Sequence, residues 1–426
     1  MPQIPRDFPF PASISRLDNG LTVIHQECSV TEVTVADIWV RAGAMIEPIE
    51  WPGMAHFLEH MIFKGTEKLA PGEFDWLVEN RGGTSNAATS YDYAHYFITT
   101  ASQHLPETLP YLADLVLQAS IPDAEFERER DVVLEEIRQS QDDPDSVGFQ
   151  ILMETVYQQH PYGRSVLGTE VGLMRHSPDT MRIFHRAHYQ PNNMALVIVG
   201  DISQDAALEL ADRSFQFLPP APCPLPEVEA EPPITRIRQE EVYLPRLEEA
   251  RLMMAWIGPG IEQSFQEEHL RWACGLDVIS ALLTEGRTSR LVRELREERH
   301  LVHHITSSFS LQRDSSLFTI MVWLQPEDID RVQAIICDRL TQLTSQPITP
   351  SELERCKRLI RNDFVFSTEM PAQLAGLYGY YNTIARPEMA VSYPEIVHSL
   401  HPEELQHLAS RYLSPYHYAA VMMKPM

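Results

Sequence analysis

Cysteine is scarce in this chain of 426 residues. The five, Cys28, Cys223, Cys274, Cys337 and Cys356, are odd in number, far apart and nowhere in Cys-x-x-Cys spacing. That pattern fits reduced thiols in a cytosol better than a disulfide framework or a thiolate zinc site. Positive charge is also short: 34 Lys and Arg stand against 60 Asp and Glu, a net charge of -26. Nucleic acid needs a basic surface to neutralise its phosphates, so this balance argues against it as a partner. A solvated acidic surface is the plain consequence, and acidity lining a cavity would favour basic ligands. Long hydrophobic runs are missing, with no window approaching the roughly 18 apolar residues of a membrane helix. The opening "MPQIPRDFPFPASIS" has no basic region followed by an apolar run and so does not read as a secretory signal. Together these absences predict a soluble, cytoplasmic protein. What is present, 44% hydrophobic and 22% charged residues, is ordinary for a globular chain, and the length calls for two or more domains.

Proline is common overall but crowds into one place. "LPPAPCPLPEVEAEPPIT", residues 218–235, excludes a helix or a central strand and predicts a semi-rigid extended linker. It divides the chain into domains 1–217 and 236–426. The two resemble each other in order. "HYQPNNMALVIVGD" parallels "RYLSPYHYAAVMM", each an aromatic, a proline turn and a hydrophobic strand. Near the starts, "LTVIHQ" with "VTVADIWVRAG" parallels "EVYL" with "EARLMMAWIG". The expected fold class is α+β: two homologous domains, each a mostly antiparallel sheet with helices packed on one face.

Against that background "GMAHFLEHMIFKG" is out of character. His56, Glu59 and His60 lie in a run of otherwise small or apolar residues, where ionisable groups are costly without partners. On a helix, positions i and i+4 share a face, so His56 and His60 project together with Glu59 beside them. Two neutral imidazoles at this spacing can grip one zinc ion, which needs a third protein ligand and keeps a position for water. "DAEFERERDVVLEEIRQSQ" offers that ligand. Glu129, Val132, Val133 and Glu136 follow an i, i+3, i+4, i+7 stripe, so two carboxylates share a face with two valines and need a compensating cation. Glu135 falls off the stripe, and Glu125, Glu127 and Arg128 suit a solvated helix surface.

His-x-x-Glu-His with "ERDVVLEE" some 75 residues on resembles the pitrilysin-type (inverzincin, M16) zinc metallopeptidases. The nearest branch is that of the mitochondrial processing peptidase and its short bacterial relatives. "LDNGLTV", "HFLEHMIFKGT", "GGTSNAATSYDYAHY", "ERERDVVLEE", "HPYGRSVLG" and "YQPNNMALVIVGD" carry the likeness along nearly the whole chain. The resemblance implies a processing-peptidase-like metallohydrolase fold, with domain 1–217 binding one zinc ion and domain 236–426 lacking ligands. It implies His56, His60 and Glu136 as metal ligands, Glu59 as the catalytic general base, and Glu129 as a group orienting a ligand histidine. Zinc follows from ligand type and family, since such sites accept several divalent ions.

The resemblance also implies an edge strand in "GGTSNAATSYDYAHYFITT" that pairs with substrate, Asn86 and Ala87 touching its backbone. Residues 91–99 would form a hairpin strand in any case. Self-sufficient relatives place an arginine and a tyrosine seven residues apart in the second half. Here Arg296 matches the arginine, while His303 stands where tyrosine is expected. The adjacent His303 and His304 would point to opposite faces of a strand, which argues against a second metal site. Relatives that work as heterodimers pair a zinc-bearing chain with a zinc-free one that supplies the arginine and tyrosine. "LLTEGRTSRL" lacks the glycine-rich loop of such zinc-free partners, so this chain falls on the catalytic side. The expectation is a zinc endopeptidase subunit that cuts unfolded or presequence-like peptides, with basic ones favoured by the acidic balance, in a two-chain chamber. Two alternatives stand beside it: a homodimer in which His303 serves, and a non-catalytic core subunit of a larger complex.

Overall fold

The structure, a computed structural model, describes residues 11–216, 223, 225, 226, 228–261 and 267–426. The first half opens with strands β1 (Ser13–Arg16), β2 (Thr22–Glu27) and β3 (Val33–Val40). Helices α1 (Met54–Ile62) and α2 (Glu73–Glu79) lead into a hairpin of β4 (Thr84–Thr89) and β5 (Ala94–Ala101). Then come α3 (Leu105–Leu117), α4 (Asp123–Asp142), α5 (Pro144–Val156), α6 (Glu170–Leu173) and α7 (Pro178–His188). Strand β6 (Met194–Gly200) and helix α8 (Gln204–Phe215) close this half.

The second half runs β7 (Arg238–Leu244), β8 (Ala250–Pro259), α9 (Glu267–Thr284), a π-helical turn at Val292–Glu298, β9 (Val302–Ser310) and β10 (Ser315–Leu324). It ends with α10 (Ile329–Ser345), α11 (Pro350–Phe366), α12 (Pro371–Ile384), α13 (Met389–Ser399), α14 (Pro402–Tyr412) and β11 (Ala419–Pro425).

One sheet has the order β1-β2-β6-β3-β5-β4 and the other β7-β11-β8-β10-β9. Without β1 the orders are the same, strand for strand. Directions agree too: β2 runs parallel to β6 as β7 does to β11, and the remaining pairs are antiparallel. The fold is α+β, built from two copies of one mixed, mostly antiparallel sheet. The paralleled sequence stretches occupy matching strands, β2 and β3 against β7 and β8, and β6 against β11.

Each half lays its own helices on one face of its sheet. The opposite face is covered as well, by a helix from the other half. Helix α12 packs on β3 and β6, and α5 packs on β7, β8 and β11. This is why β6, "MALVIVG", is buried at every position, where alternation would mark a sheet with one wet face. Approach of α12 is close. A Cβ at Gly379 would lie 2.1 Å from the Trp39 Nε1, so only glycine fits there. Across this seam Tyr378 donates to Gln26 Oε1 at 2.6 Å, Arg41 to the Asn382 carbonyl at 2.7 Å, and Tyr157 to the Ser315 carbonyl at 2.7 Å.

Of the proline-rich stretch 218–235, residues 218–222, 224 and 227 lie outside the described residues. The part that follows is anchored. Glu231 is buried and accepts the backbone N–H groups of Gln158, Gln159 and His160 at 2.9–3.1 Å, and Ile234 is buried in the core. The hairpin strand expected at 91–99 begins at Ala94, because residues 90–93 make the turn.

Candidate metal centre

Helix α1 is preceded by Gly53 as its cap, whose φ of +80° is left-handed; a Cβ there would sit 2.5 Å from the Leu167 carbonyl oxygen. The exposed N–H groups of this helix start are taken by a buried side chain. Glu47 accepts from Gly53 N at 2.9 Å and from Ala55 N at 2.7 Å. Burial pushes its carboxyl up to about 8, although these two bonds and the Arg164 charge oppose the shift. Met54, Ala55, Phe57, Leu58, Met61 and Ile62 are fully buried and fix the rotation of α1. Phe57 meets Phe126 of α4, ring centroids 4.6 Å apart, which sets the two helices side by side.

That packing brings the predicted ligands together. His56 Nε2 lies 3.5 Å and His60 Nε2 3.4 Å from the same oxygen, Glu136 Oε2. One ligand atom from each of His56, His60 and Glu136 falls within 4.8 Å of the others. A tetrahedral ion held at about 2.1 Å by each ligand separates neighbouring ligand atoms by about 3.4 Å, so the donor set fits zinc. His56 Nδ1 is buried without a hydrogen-bond partner among the described residues, so Nε2 is the end of that ring with an interaction. Burial works against charge on His60, yet the bonds it donates to Glu129 and Glu136 overcome it and push the imidazole up to about 9. Two carboxylates thus hold a cation at His60 where a divalent ion would take over the compensation. Hydrogen bonds from His56 and His60 hold Glu136 well below the usual carboxylate range against its burial.

Glu129 is buried, and His60 Nδ1 donates to its Oε1 at 2.9 Å. Lys64 Nζ reaches the other oxygen at 2.7 Å. Burial would raise this carboxyl, but His60 and Lys64 together lower it, so it stays an anion that orients the ring. The predicted stripe holds for Glu129, Val133 and Glu136 but not for Val132, which is 51% exposed. A face shared at i+3 and i+4 straddles the helix contact line, and here the i+4 residue wins the core. Glu135 is exposed and faces Arg138, as its place off the stripe implies. Glu125 pairs with Arg128 on the solvent side.

Glu59 lies beside the triad, its Oε2 accepting from Thr89 Oγ1 at 2.5 Å. Beyond it the Tyr96 and Tyr189 hydroxyls meet at 2.8 Å, both phenols raised by burial and further by the Glu59 charge. Thr89 belongs to β4, the outermost strand of its sheet. Asn86 is exposed on that strand and Ala87 is partly buried against the core, so the expected substrate strand borders the candidate base.

Arg296 and His303 are engaged elsewhere. Arg296, in the π-helical turn, pairs with the adjacent Glu297 at 2.8 Å. His303 is exposed on β9 and pairs with Glu249 at 2.9 Å. The ladder between β9 and β10 shifts register between Trp323 and Leu324, leaving His303 in a bulge. His303 and His304 are accordingly both exposed, where plain alternation would separate them.

Three residues here had no assigned role in the sequence. Lys64 stands one turn past His60, where i+4 spacing signals it. Thr89 stands two residues past Ala87, on the same side of a strand. Glu47 is a distant cap with no local signal.

Two family models match the chain: Insulinase (Peptidase family M16) over residues 22–170 and Peptidase M16 inactive domain over residues 176–360. The chain belongs to the M16 peptidase family. His56, Glu59, His60, Glu129 and Glu136 all fall within the insulinase match, and the inactive-domain match begins after them. Among curated M16 relatives, the zinc protease PqqE of Helicobacter pylori is 29% identical over 96% of this chain and 92% of its own. The uncharacterized zinc protease YmxG of Bacillus subtilis is 27% identical over 82% of this chain and 83% of its own. The crystal structure of a protease from Helicobacter pylori superposes with a TM-score of 0.90 at 28% identity, covering 97% of this chain and 99% of that one. These relatives make zinc the expected ion of the M16 centre. No helix among the described residues is long and apolar enough to cross a membrane.

Proposed function

We propose that this M16 chain is the catalytic subunit of a zinc-dependent endopeptidase that cleaves unfolded or presequence-like peptides in a chamber formed by two chains. The observation that carries this reading is the convergence of His56, His60 and Glu136 next to a carboxylate, Glu59, that is itself held by the sheet's edge strand. Zinc at His56, His60 and Glu136 supplies a Lewis acid that lowers the pKa of water and polarises the scissile carbonyl. The chain's own residues do the rest. Glu59 takes the proton of the attacking water and passes it to the leaving amine. Thr89 donates to Glu59 Oε2 and so holds the carboxylate against the edge strand. Lys64 keeps Glu129 anionic, and Glu129 fixes the His60 ring. Strand β4 aligns an extended peptide by main-chain pairing, which gives affinity with little sequence demand.

Arg296 and His303 are tied to Glu297 and Glu249, which supports supply of the oxyanion-stabilising arginine and tyrosine by a zinc-free partner chain. Loss of one such donor costs roughly a hundredfold or more in rate. Five free cysteines support a reducing compartment, the cytoplasm; a neighbour of the same fold is described as the first half of the periplasmic protease PqqL from Escherichia coli. The rival, a non-catalytic core subunit, draws support from the inactive-domain match, but that match leaves the metal-site residues untouched.

The deciding experiment gives the purified, zinc-loaded chain a fluorogenic unstructured peptide, with Glu59→Gln and a chelator as controls. Cleavage lost in both controls supports a self-sufficient enzyme. Bound zinc without cleavage supports the two-chain form, and a chain that takes up no zinc ends the peptidase reading.

A further inference from the structure

The hairpins at the edge of each sheet meet across the seam between the halves. The turn 90–93 joins β4 to β5, and the turn 311–314 joins β9 to β10. Sheet order makes the two turns counterparts. A contact between counterparts sets like against like. Here a buried carboxylate, Asp92, lies in the field of another, Asp314. Tyr162 stands between them, its hydroxyl donating to Asp92 Oδ1 at 2.7 Å and accepting from Asp314 N at 3.4 Å. His160 Nδ1 accepts from Tyr162 N at 3.2 Å, which leaves the ring's proton on Nε2, 3.7 Å from Asp314 Oδ2.

From Asp92 a run of bonds leads to the metal helix. The Ser90 and Tyr91 carbonyls of its turn accept from Ala44 N at 3.0 Å and Met45 N at 2.8 Å. Only glycine permits this approach at position 43, where a Cβ would lie 2.3 Å from the Tyr91 carbonyl oxygen. Residues 44–46 are thus buried and fixed on the turn. The next residue, Glu47, holds Gly53 N and Ala55 N at the start of α1, directly before His56. Arg164, two residues past Tyr162, closes the circuit by donating to the Glu47 carbonyl at 3.1 Å.

Asp92 is kept in this place at a cost. Burial pushes its carboxyl up to about 6; the Tyr162 bond opposes the shift, the Asp314 charge adds to it, and the Arg313 backbone and charge oppose it. At neutral pH the seam therefore holds a charge that an apolar contact would spare it, the kind of local conflict expected where a site is being held.

We propose that Asp92 is a positioning residue for the metal centre, bracing α1 against the second half through the turn 90–93 and the Glu47 cap. The inference rests on the zinc site of the reading above. It gives the ligand-free half a task, as the wall from which the metal helix is held.

The test is zinc affinity of the full-length chain, read by competition with a chromogenic chelator, with circular dichroism checking the fold. Asp92→Ala should bind zinc roughly tenfold more weakly, in the range seen for groups that orient a ligand without touching the metal. Asp92→Asn keeps an acceptor oxygen and should restore the affinity. Tyr162→Phe breaks the same bond from its other partner and should match Asp92→Ala, so the test survives if one of the two misfolds. A cycle with Glu47→Gln is sharper. Two changes on one route cost less together than the sum of their separate losses, whereas unconnected sites add. Tyr378→Phe removes a seam bond off the route, to Gln26, and should leave the affinity unchanged. Full affinity in Asp92→Ala and Tyr162→Phe, additive losses in the cycle, or an equal loss in Tyr378→Phe overturns the brace. A chain that takes up no zinc ends the peptidase reading, and the brace is then judged on the metal-free chain. Amides 44–55 should exchange faster in Asp92→Ala, and unchanged exchange there overturns it.

Discussion

The two halves share a strand order, strand directions and a helix-on-helix frame, yet they present different chemistry on it. Where α1 and α4 bring two imidazoles and a carboxylate to one point, α9 and α11 surround a cavity with carboxylates too dispersed for a single ion. The comparison separates what a fold decides from what a handful of side chains decide. Sheet order sets where a cleft can form beside an edge strand. Whether that cleft holds a metal depends on His56, His60 and Glu136 at helix positions that face each other. The halves also depend on one another, since α5 and α12 each cover the other's sheet.

The largest effect expected of any single substitution lies in the first frame. Glu59→Gln should lower the hydrolysis rate by about 10²–10⁴-fold, the usual worth of a general base, with zinc content unchanged. Lost zinc would instead mean that Glu59 shapes the site, and the contrast between the frames would then rest on packing.

Acid should strain the first half through a group the second lacks. Helices α7 and α14 hold matching places before the last strand of each sheet. The buried face of α7 includes His185, whose Nε2–H donates to the Val116 carbonyl at 2.8 Å, while α14 buries Leu405, Leu408 and Ala409. Burial lowers His185 to about 4 from its ordinary 6.5. The folded state therefore keeps it neutral where the unfolded chain is already protonated. Its stabilisation is full above pH 6.5 and is lost as pH falls toward 4, up to about 3 kcal/mol in total. Denaturant unfolding of the unaltered chain and of His185→Gln between pH 7 and 4 should give curves that converge or cross on the acid side. Parallel curves would show that His185 is not the sensitive group.

Much of this contrast was legible in the residues. The His-x-x-Glu-His spacing, the offset carboxylates of α4 and the paralleled strands around "MALVIVG" and "YAAVMM" state the metal centre and the duplication directly, because helix and strand periods fix which side chains share a face. Other features depend on contacts distant in sequence. Exposure of Val132 reflects which side of α4 meets α1. The bulge at His303 arises from register against Trp323. Glu47 reaches the start of α1 through a loop, and the exchange of α5 and α12 between sheets leaves only continuous apolar strands and an unexplained Gly379. The acidic cavity draws residues from four helices and a strand, so no local spacing announces it.

A smaller effect tests how the first frame is held. Glu129→Gln keeps shape but removes the anion between Lys64 and His60, and should weaken zinc binding about 10–100-fold. Competition with a chromogenic chelator reads this directly. Unchanged affinity would leave Glu136 alone responsible for fixing the ring.

The smallest effects compare two glycines, one at each end of the cross-covered architecture. Gly53 combines a φ of +80° with a backbone carbonyl 2.5 Å from any Cβ, so Gly53→Ala must both strain the chain and displace Leu167. About 2 kcal/mol of lost stability is expected. Gly376, inside α12, has no such φ and nothing within 4 Å of an added Cβ. Alanine there restricts the unfolded chain and favours the helix, so Gly376→Ala should stabilise by up to about 1 kcal/mol. Urea unfolding midpoints of the two variants should move in opposite directions. If Gly376→Ala also destabilises, α12 needs local freedom to lie across the first sheet, and the two halves are coupled by a strained helix rather than by a rigid one.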